Sequence, residues 1–431
     1  MTTIFAKASG EGRSGVAIYR ISGSLAGWAL EQLTGSRGKA RFARRVDVQD
    51  AEGGLIDDGL ALWFPGPASF TGEDCAELQL HGSPAVELQV SRALVALGLE
   101  PAGPGAFTMR AFSNGKMDLT QAEGLADLLA AETSLQHRQA MASYSGKLRD
   151  AADGWRSDLI EAMAKLDASV DFPDEEDVPS AIAAGALPAV ERVRGSVSST
   201  LAGVAAAQRI KSGVKVALVG PPNAGKSSLF NKIVEEERAI VSAEAGTTRD
   251  VISETVALGG HRVTFLDTAG VRDEVGSEIE AAGISLTRKV AEQADMRLLC
   301  YPAAAGTLPS WMLDLRSKND LIVRTKSDLG LGVGDVSAAL SDEVSLKTLR
   351  EAILDRLGEL ASPGLAPSVR QEGLLRSVLD GLTGFEEAAV VAPEIGAEVV
   401  RQAAAKLEEL TGRIAPDDVL GDIFSSFCIG K

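Results

Sequence analysis

Residues 220–227 read GPPNAGKS, which has the form G-x-x-x-x-G-K-[ST] of a phosphate-binding loop. The apolar run Val214–Val219 before it predicts a buried strand, and a helical pattern begins near Ser228. In that context the glycines let backbone N–H groups point at phosphate oxygens, and the helix adds its positive N-terminal end. We expect Lys226 to reach the β- and γ-phosphates and Ser227 to ligate Mg²⁺. The alternative is a plain glycine turn, which these flanking patterns disfavour.

The bulk composition limits the class of protein. The chain has 431 residues, 45% of them hydrophobic, so we expect two to four domains. The formal net charge of −17 argues against tight nucleic-acid binding through charge alone, so any RNA contact is expected to be local or to need a partner. Three widely spaced cysteines predict neither a disulfide framework nor a zinc site and favour a reducing, cytoplasmic location. We expect no membrane partner, because no apolar run approaches roughly 18 residues.

Hydrophobic periodicity divides the chain into four stretches. Residues 1–117 mix β-like runs with an amphipathic helix and predict an α+β domain, and residues 118–210 are helical in pattern. Residues 211–362 alternate strand and helix patterns, which is typical of a parallel sheet, and residues 363–431 are helical again. We therefore predict that the alternating domain is inserted into a helical domain. Four independent segments are the alternative, but the last would have a thin core.

Two motifs that respond to a γ-phosphate follow the loop. Residues 246–250 read GTTRD, and a threonine there can ligate Mg²⁺ and sense the γ-phosphate. The strand-like run 261–266 leads into DTAG at 267–270. Asp267 is placed to hold the magnesium shell, and the N–H of Gly270 can donate to the γ-phosphate.

A third motif selects the base. The apolar run 321–324 leads into TKSD at 325–328. Asp328, at the end of a parallel strand, can accept the N1 and N2 protons of guanine, which adenine does not offer, while Lys326 lies along the base. A backbone N–H near Ser345 can reach the guanine oxygen. In this order the motifs indicate a GTPase. The predicted GTP or GDP contacts are Asn223, Ala224, Gly225, Lys226, Ser227, Ser228, Gly246, Thr247, Thr248, Asp267, Thr268, Ala269, Gly270, Thr325, Lys326, Asp328 and Ser345.

Three features depart from signalling GTPases. Val271 follows DTAG, where a glutamine often orients the attacking water, so a nearby acid must take that role. There is no obvious arginine finger, and Asn223 in the loop can instead ligate a monovalent cation; a loop-capping amide is the alternative. Thr325 stands where asparagine is usual, and its single hydroxyl reaches less far. We expect guanine preference through Asp328, with weaker nucleotide affinity.

Over its whole length the chain resembles the MnmE (TrmE) family of tRNA-modification GTPases, of the TrmE–Era–EngA type. The resemblance rests on GPPNAGKSS, AGTTRDV and DTAGVRD, on the N-terminal strings GRSGVAIYRISG, FTGEDCAELQLHG and RAFSNGKMDLTQAE, on VDFPDEE, and on the terminal FCIGK. It implies an N-terminal α+β folate-binding domain, an α-helical domain, and an inserted Ras-like P-loop GTPase domain with a mostly parallel sheet.

The resemblance also implies partners and chemistry. It implies a homodimer through the N-terminal domain and a heterotetramer with an MnmG-type FAD protein. Together these add a (carboxymethyl)aminomethyl group to C5 of the wobble uridine of certain tRNAs. Hydrolysis of GTP would be activated by K⁺ and would drive domain rearrangement.

Site residues follow from the resemblance by their motif positions. It implies K⁺ ligation by Asn223, Ser242, Glu244 and Thr247, and Mg²⁺ ligation by Ser227 and Thr248. Glu280 would orient the water. Contacts to 5-formyltetrahydrofolate, or a related tetrahydrofolate, would come from Arg20, Glu77, Lys116 and Lys431. Cys428 would be a tail thiol used in the modification. Ala106 departs from the family pattern, which often has an acid there.

The folate residues also make chemical sense. Glu77 suits the amino and ring N–H groups of a pterin, and Arg20 and Lys116 suit carboxylate or formyl oxygens. Without the resemblance, Glu77 would be interpreted as one more solvated acid, and His81 as a turn or core histidine.

The last residues of the chain are more apolar than is usual for a frayed terminus. Phe424, Phe427 and Ile429 predict docking rather than fraying. Lys431 could help to lower the pKa of the Cys428 thiol, which its reactivity would require.

Two other functions remain open from the sequence. One is a regulatory or ribosome-assembly GTPase without RNA chemistry, which should carry a basic RNA-binding appendage that this acidic chain lacks. The other is a folate-dependent one-carbon transferase for which GTP is only regulatory.

Overall fold

The computed structural model describes residues 2–171, 178–237, 252–267, 287–330, 333–362, 364–365, 367–414 and 416–431. The chain divides into two compact units. The first contains residues 1–126, 149–189 and 380–431, and the second contains residues 127–148 and 190–379. This division does not follow the four predicted stretches, whose boundaries stay a prediction. Among the described residues, no helix combines the length and the hydropathy needed to cross a bilayer.

The first unit is built on a six-stranded sheet of order β3-β4-β5-β2-β1-β6. Neighbouring strands are antiparallel, except for the parallel pair β1–β6. The strands are β1 Ile4–Lys7, β2 Ser14–Ser22, β3 Arg44–Gln49, β4 Leu55–Phe64, β5 Cys75–Gly82 and β6 Glu100–Pro101. Helices α1 Ala26–Thr34 and α2 Pro84–Ala96 cover one face. Ala17, Tyr19 and Ile21 of β2 are buried in the core with these helices, so the pleat turns Arg20 to the other face.

The remaining helices of the chain outside the second sheet are mostly long. They are α3 Ala106–Ser113, α4 Leu119–Ala130, α5 Ser134–Tyr144, α6 Lys147–Asp171, α7 Val178–Ala202, α8 Val204–Ser212, α12 Val369–Gly381, α13 Phe385–Val391, α14 Pro393–Thr411 and α15 Asp417–Ser425. The predicted helical pattern of residues 118–210 is therefore present wherever the structure describes it. The acidic segment 172–177 lies outside the described residues.

The C-terminal tail docks within the first unit, as its apolar residues predicted. Helix α15 packs on α3, and the ring of Phe424 lies 6.1 Å from that of Phe112 and 6.0 Å from that of Phe427. Beyond the helix, Ile429 forms an antiparallel bridge with Pro104. At Gly430 (φ 94°) an added Cβ would lie 2.2 Å from the Lys7 carbonyl oxygen, so only glycine allows this approach.

The second unit contains a six-stranded sheet of order β12-β11-β10-β7-β9-β8, parallel except for the antiparallel pair β8–β9. Its strands are β7 Val214–Val219, β8 Ile252–Leu258, β9 His261–Asp267, β10 Met296–Pro302, β11 Leu321–Thr325 and β12 Val336–Ala338. Between Val214 and Leu360 the chain also forms the helices α9 Lys226–Glu237, α10 Ser310–Leu313 and α11 Glu343–Leu360, and residues 287–293 are also helical. Alternate residues of β7 enter different cores on the two faces, which gives the predicted covered parallel sheet.

We predict that Arg110 is required for the stability of the first unit. Its buried guanidinium donates to Glu73 Oε2 (2.7 Å), the Ser22 carbonyl (3.1 Å) and the Thr2 carbonyl (2.6 Å). Arg110→Ala removes this shared donor, leaves the Glu73 carboxylate with the Ser22 hydroxyl as its described side-chain donor (2.8 Å), and should lower the free energy of unfolding of this unit by about 3 kcal/mol. Hydrogen–deuterium exchange of β2 and α3 should accelerate. The exposed Arg13→Ala is the control, and unchanged exchange in Arg110→Ala would contradict the prediction.

Candidate functional site

The phosphate-binding loop lies between β7 and α9, where the sequence predicted it. Lys226 opens α9 and is only 5% exposed, and its Nζ donates to the carbonyl oxygens of Gly220 (2.8 Å) and Pro221 (2.9 Å). The ammonium therefore lies against the loop itself, where phosphate oxygens can replace these acceptors. Ser227 is exposed in the first turn of the same helix, as a magnesium ligand must be.

The backbone conformation of this loop restricts which residues can occupy positions 220, 223 and 225. At Gly220 an added Cβ would lie 2.0 Å from the Cys300 carbonyl oxygen, so no other residue fits. Gly225 has φ 86° and Asn223 has φ 59°. Asparagine tolerates this left-handed conformation better than most residues because its short amide can bond locally. The loop turns through these two left-handed positions, and the Ala224 N–H closes it by donating to the Pro221 carbonyl (3.2 Å).

Asp267 stands beside the loop at the end of β9. It is 1% exposed and is in register with Leu218 of β7. Cys300, at the end of neighbouring β10, is buried, and burial raises the pKa of its thiol to about 12, with smaller opposing effects of Lys226 and Asp267. Cys300 is therefore a neutral packing residue under the site and not a nucleophile.

The segment predicted to bind guanine is tied directly to the phosphate loop. Thr325 ends β11 and is 4% exposed, and its Oγ1 lies 2.5 Å from the Ala224 carbonyl oxygen and 3.0 Å from that of Tyr301. The single hydroxyl hydrogen serves one acceptor at a time. Lys326 Nζ donates to the Asn223 carbonyl oxygen (2.9 Å). Threonine therefore reaches far enough to join the two loops, although it offers one donor where asparagine would offer two.

The other two residues predicted to contact guanine, Asp328 and Ser345, lie in different elements. Asp328 is exposed in the short 3₁₀ turn Ser327–Leu329, directly after Lys326. Ser345 lies in the first turn of α11, where its hydroxyl accepts the N–H of Ala339 (3.0 Å) and donates to the Asp342 carbonyl (2.8 Å). Ser345 thus anchors a strand-end loop.

Sequence reasoning missed the residues directly after β12. Ala338 is in register with Thr325 of β11, so Ala339 and Leu340 follow at the same edge of the sheet as the TKSD loop. Leu340 is 51% exposed. The end of the apolar run at residues 336–338 is the sequence signal for this loop, whereas the contact predicted near Ser345 lies in α11.

Several predicted residues lie outside the described part of the chain. They are Ser242, Glu244, Gly246, Thr247, Thr248, Thr268, Ala269, Gly270 and Glu280. For these residues the predicted roles stay predictions. Of the side chains predicted to contact the phosphates or cations, Asn223, Lys226, Ser227 and Asp267 lie in the described residues.

A second cluster occupies the first unit, on the sheet face opposite its helices. Arg20 of β2 and Glu77 of β5 are in register, and the Nη2–Oε1 distance is 2.9 Å, with both side chains 17% exposed. The guanidinium of Arg20 stacks on the rings of Phe70 (5.2 Å) and Phe107 (5.8 Å). Burial, and then the charge of Arg20, lowers the pKa of the Lys431 side chain, which places that lysine in the same cluster. No sequence pattern points to the two phenylalanines, because they come close to Arg20 only in the folded chain.

The other predicted folate residues are held nearby by backbone contacts. Lys116 Nζ donates to the Pro67 carbonyl (2.9 Å), in the same loop that carries Phe70. The Lys431 carbonyl accepts the Phe107 N–H (3.2 Å), and the Lys431 N–H donates to the Cys428 carbonyl (3.3 Å). Cys428 itself is exposed.

His81 is not a core residue, in contrast to one of the two sequence interpretations. It lies exposed near the end of β5, with Nδ1 2.9 Å from Asp57 Oδ1. The hydrogen bond and charge of Asp57 raise the pKa of His81 above its ordinary value.

Comparison with known proteins now identifies the family. The model described as "GTP-binding protein TrmE N-terminus" matches residues 3–116, and that described as "MnmE helical domain" matches residues 119–428. A tRNA modification GTPase MnmE from Phenylobacterium zucineum is 42% identical over 450 residues, covering 100% of this chain and 99% of the relative. The proteins of that name from Maricaulis maris and Paracoccus denitrificans are 43% and 44% identical, covering 100% of both chains. The chain belongs to the MnmE family of tRNA modification GTPases. This confirms the predicted family and enzyme class, a GTPase.

We predict that the hydroxyl of Thr325 supports nucleotide binding. Thr325→Ala leaves the buried Ala224 and Tyr301 carbonyl oxygens without this donor and loosens the TKSD loop, so the Kd for GDP should rise about fivefold to tenfold. Thr325→Ser should retain wild-type affinity. Thr348→Ala, which removes an exposed hydroxyl bonded to the Val344 carbonyl within α11, is the control. Equal affinities of the wild type and Thr325→Ala, measured by calorimetry, would rule out this role.

Proposed function

We propose that the chain hydrolyses GTP and thereby takes part in modifying tRNA. The observation that carries the proposal is the meeting of Lys226, Asp267 and the TKSD loop at the carboxyl ends of β7, β9 and β11. Ligands of open parallel sheets bind at such an edge. The relatives named above are tRNA modification GTPases, which supports an RNA substrate.

The residues fit a guanosine triphosphate with Mg²⁺. Lys226 would bind the β- and γ-phosphates, Ser227 and Thr248 would ligate Mg²⁺, and Asp267 would hold the magnesium shell. Mg²⁺, when bound, neutralises charge that develops on the phosphate oxygens. Asp328 would select guanine. Since Ser345 binds the Ala339 N–H, we assign the N–H donor for the guanine oxygen to the strand-end loop at Leu340 instead.

We further propose that the reaction uses a carboxylate and a monovalent cation. Glu280 would orient the attacking water, because Val271 cannot. Asn223 would ligate K⁺ beside the phosphates, together with Ser242, Glu244 and Thr247. The positive charge would then occupy the place that an arginine finger takes in other GTPases.

The cluster in the first unit would bind 5-formyltetrahydrofolate or a related tetrahydrofolate. Glu77 would accept the pterin N–H groups, and Arg20, Lys116 and Lys431 would face its anionic or formyl oxygens. The rings of Phe70 and Phe107 already support Arg20, which limits the entropy lost when Arg20 orients a ligand. Cys428 would act as a thiol at the edge of this site.

We propose that a homodimer formed through the N-terminal domain works with an MnmG-type FAD protein in the cytoplasm. Together they would add a (carboxymethyl)aminomethyl group to C5 of the wobble uridine, with GTP hydrolysis driving domain rearrangement. Mass spectrometry of wobble uridines in a deletion strain is the decisive experiment. Loss of the modification, restored by the wild-type chain, supports this function; an unchanged modification would leave a regulatory GTPase.

We predict that GTP turnover is faster in K⁺ than in Na⁺. Asn223→Gly removes the amide while accepting the left-handed backbone of this position, so it should lose roughly tenfold or more of the K⁺-stimulated rate and leave the rate in Na⁺ unchanged. The measurement is steady-state phosphate release in matched chloride salts. Equal wild-type rates in the two salts would remove K⁺ from the mechanism.

We predict that Glu77 contributes directly to folate affinity. Glu77→Gln keeps the shape but removes the charge that strengthens hydrogen bonds from the pterin, so the Kd for 5-formyltetrahydrofolate should rise roughly tenfold or more. The control is Glu52→Gln, an exposed acid of the same unit. If calorimetry gives the same Kd for Glu77→Gln and the wild type, the pterin is not held by this carboxylate.

A further inference from the structure

One surface of this acidic protein is strongly basic. Residues 36–45, which run from the end of α1 into the first two residues of β3, read SRGKARFARR and contain five Lys or Arg residues and no Asp or Glu. We call this segment the basic loop. It contrasts with the formal net charge of −17 for the whole chain. Such a segment attracts a polyanion locally even when the whole protein repels one.

Three of the five cations contact no carboxylate among the described residues. Arg37 pairs with Glu31 (3.2 Å) and Arg45 with Asp58 (3.0 Å) at the surface. Lys39 instead lies over an aromatic ring. Arg41 and Arg44 donate to uncharged oxygens, those of Ala68 and of Thr34 and Ser36. These contacts fix the two guanidinium groups without neutralising their charge.

The cations surround an exposed aromatic side chain. Phe42 is 57% exposed, and Lys39 Nζ lies 4.2 Å from the centroid of its ring. An exposed ring costs hydrophobic free energy unless a ligand covers it. Exposed aromatics among cations are how proteins bind single-stranded nucleic acid, since the cations bind phosphates and the ring stacks on a base. An acidic protein partner would use the cations but would not need the ring.

Residues 63–70 connect the basic loop to the cluster of Arg20 and Glu77. The Arg41 N–H donates to the Trp63 carbonyl (2.8 Å), and the Arg41 guanidinium contacts the Ala68 carbonyl. Two residues further on, Phe70 stacks on Arg20. The loop that holds the basic surface in place therefore also forms part of the predicted folate site.

We propose that the basic loop is an RNA-binding surface, in which the cations bind phosphates and Phe42 stacks on an unpaired base near the Arg20–Glu77 cluster. This inference rests on the proposed function, since that function supplies an RNA substrate with an unpaired base. It adds the place on the chain where that RNA is held.

The test is fluorescence anisotropy with the full chain, a tRNA transcript carrying uridine at the wobble position, and an oligouridine single strand, over a series of salt concentrations. Phe42→Ala should weaken binding about tenfold, whereas Phe42→Trp should retain it. Lys39→Ala should reduce the slope of log K against log salt by about 0.7 for the single strand. Arg92→Ala, which removes an exposed cation from α2, is the matched control and should change little. Unchanged thermal unfolding of each variant verifies folding.

The outcomes separate this inference from the proposed function. If the wild type binds the transcript and restores the wobble modification, but Phe42→Ala and Lys39→Ala bind as tightly, the inference is wrong and the proposed function stands. If the wild type neither binds RNA nor restores the modification, both fail. If the variants bind RNA normally but no longer associate with the flavoprotein partner, the loop is a protein interface and the inference is overturned.

Discussion

The nucleotide site depends on the close approach of two backbones at Gly220. Its missing Cβ leaves room for the Cys300 carbonyl, which would lie 2.0 Å from any side-chain carbon there. This contact brings the end of β7 against the end of β10. Because the next residue, Tyr301, offers its carbonyl to Thr325, the same approach brings β11 within reach of the phosphate loop. Motifs far apart in sequence thus share one edge through backbone contacts.

The second cluster depends on a different close approach, that of the C-terminal tail. Phe424 is buried beside α3, and the chain then passes Lys7 at Gly430 so that Lys431 joins Arg20 and Glu77. The position of the terminal lysine is therefore set by apolar packing of α15 and by one glycine. This is the physical reason that a short, apolar end of a chain can carry a functional group.

The sequence predicted the parts of the molecule that are local. Strand β7, the phosphate loop and α9 form one contiguous motif, and β9 and β11 end in motifs whose edge is fixed by parallel pairing. It could not predict the stacking of Phe70 and Phe107 on Arg20, which brings together side chains from distant segments. No motif marks the strand-end loop after β12, so the sequence prediction fell on Ser345 in α11, where its guanine contact stays a prediction. The basic loop was overlooked because the net charge of a chain averages over a local surface.

At position 325 the chain has threonine where asparagine is usual, and this limits how many groups the side chain can contact. An asparagine amide has two N–H donors, so it can serve a base and a neighbouring loop together. The hydroxyl of Thr325 has one hydrogen, and both acceptors within reach are backbone carbonyls, of Ala224 and Tyr301. The tie between the loops is therefore kept, and no donor is left for the base. In the proposed function, guanine selection would then fall on Asp328 and on the backbone after β12, which are exposed at this edge. Structural and recognition roles that one side chain combines elsewhere are divided here between separate groups.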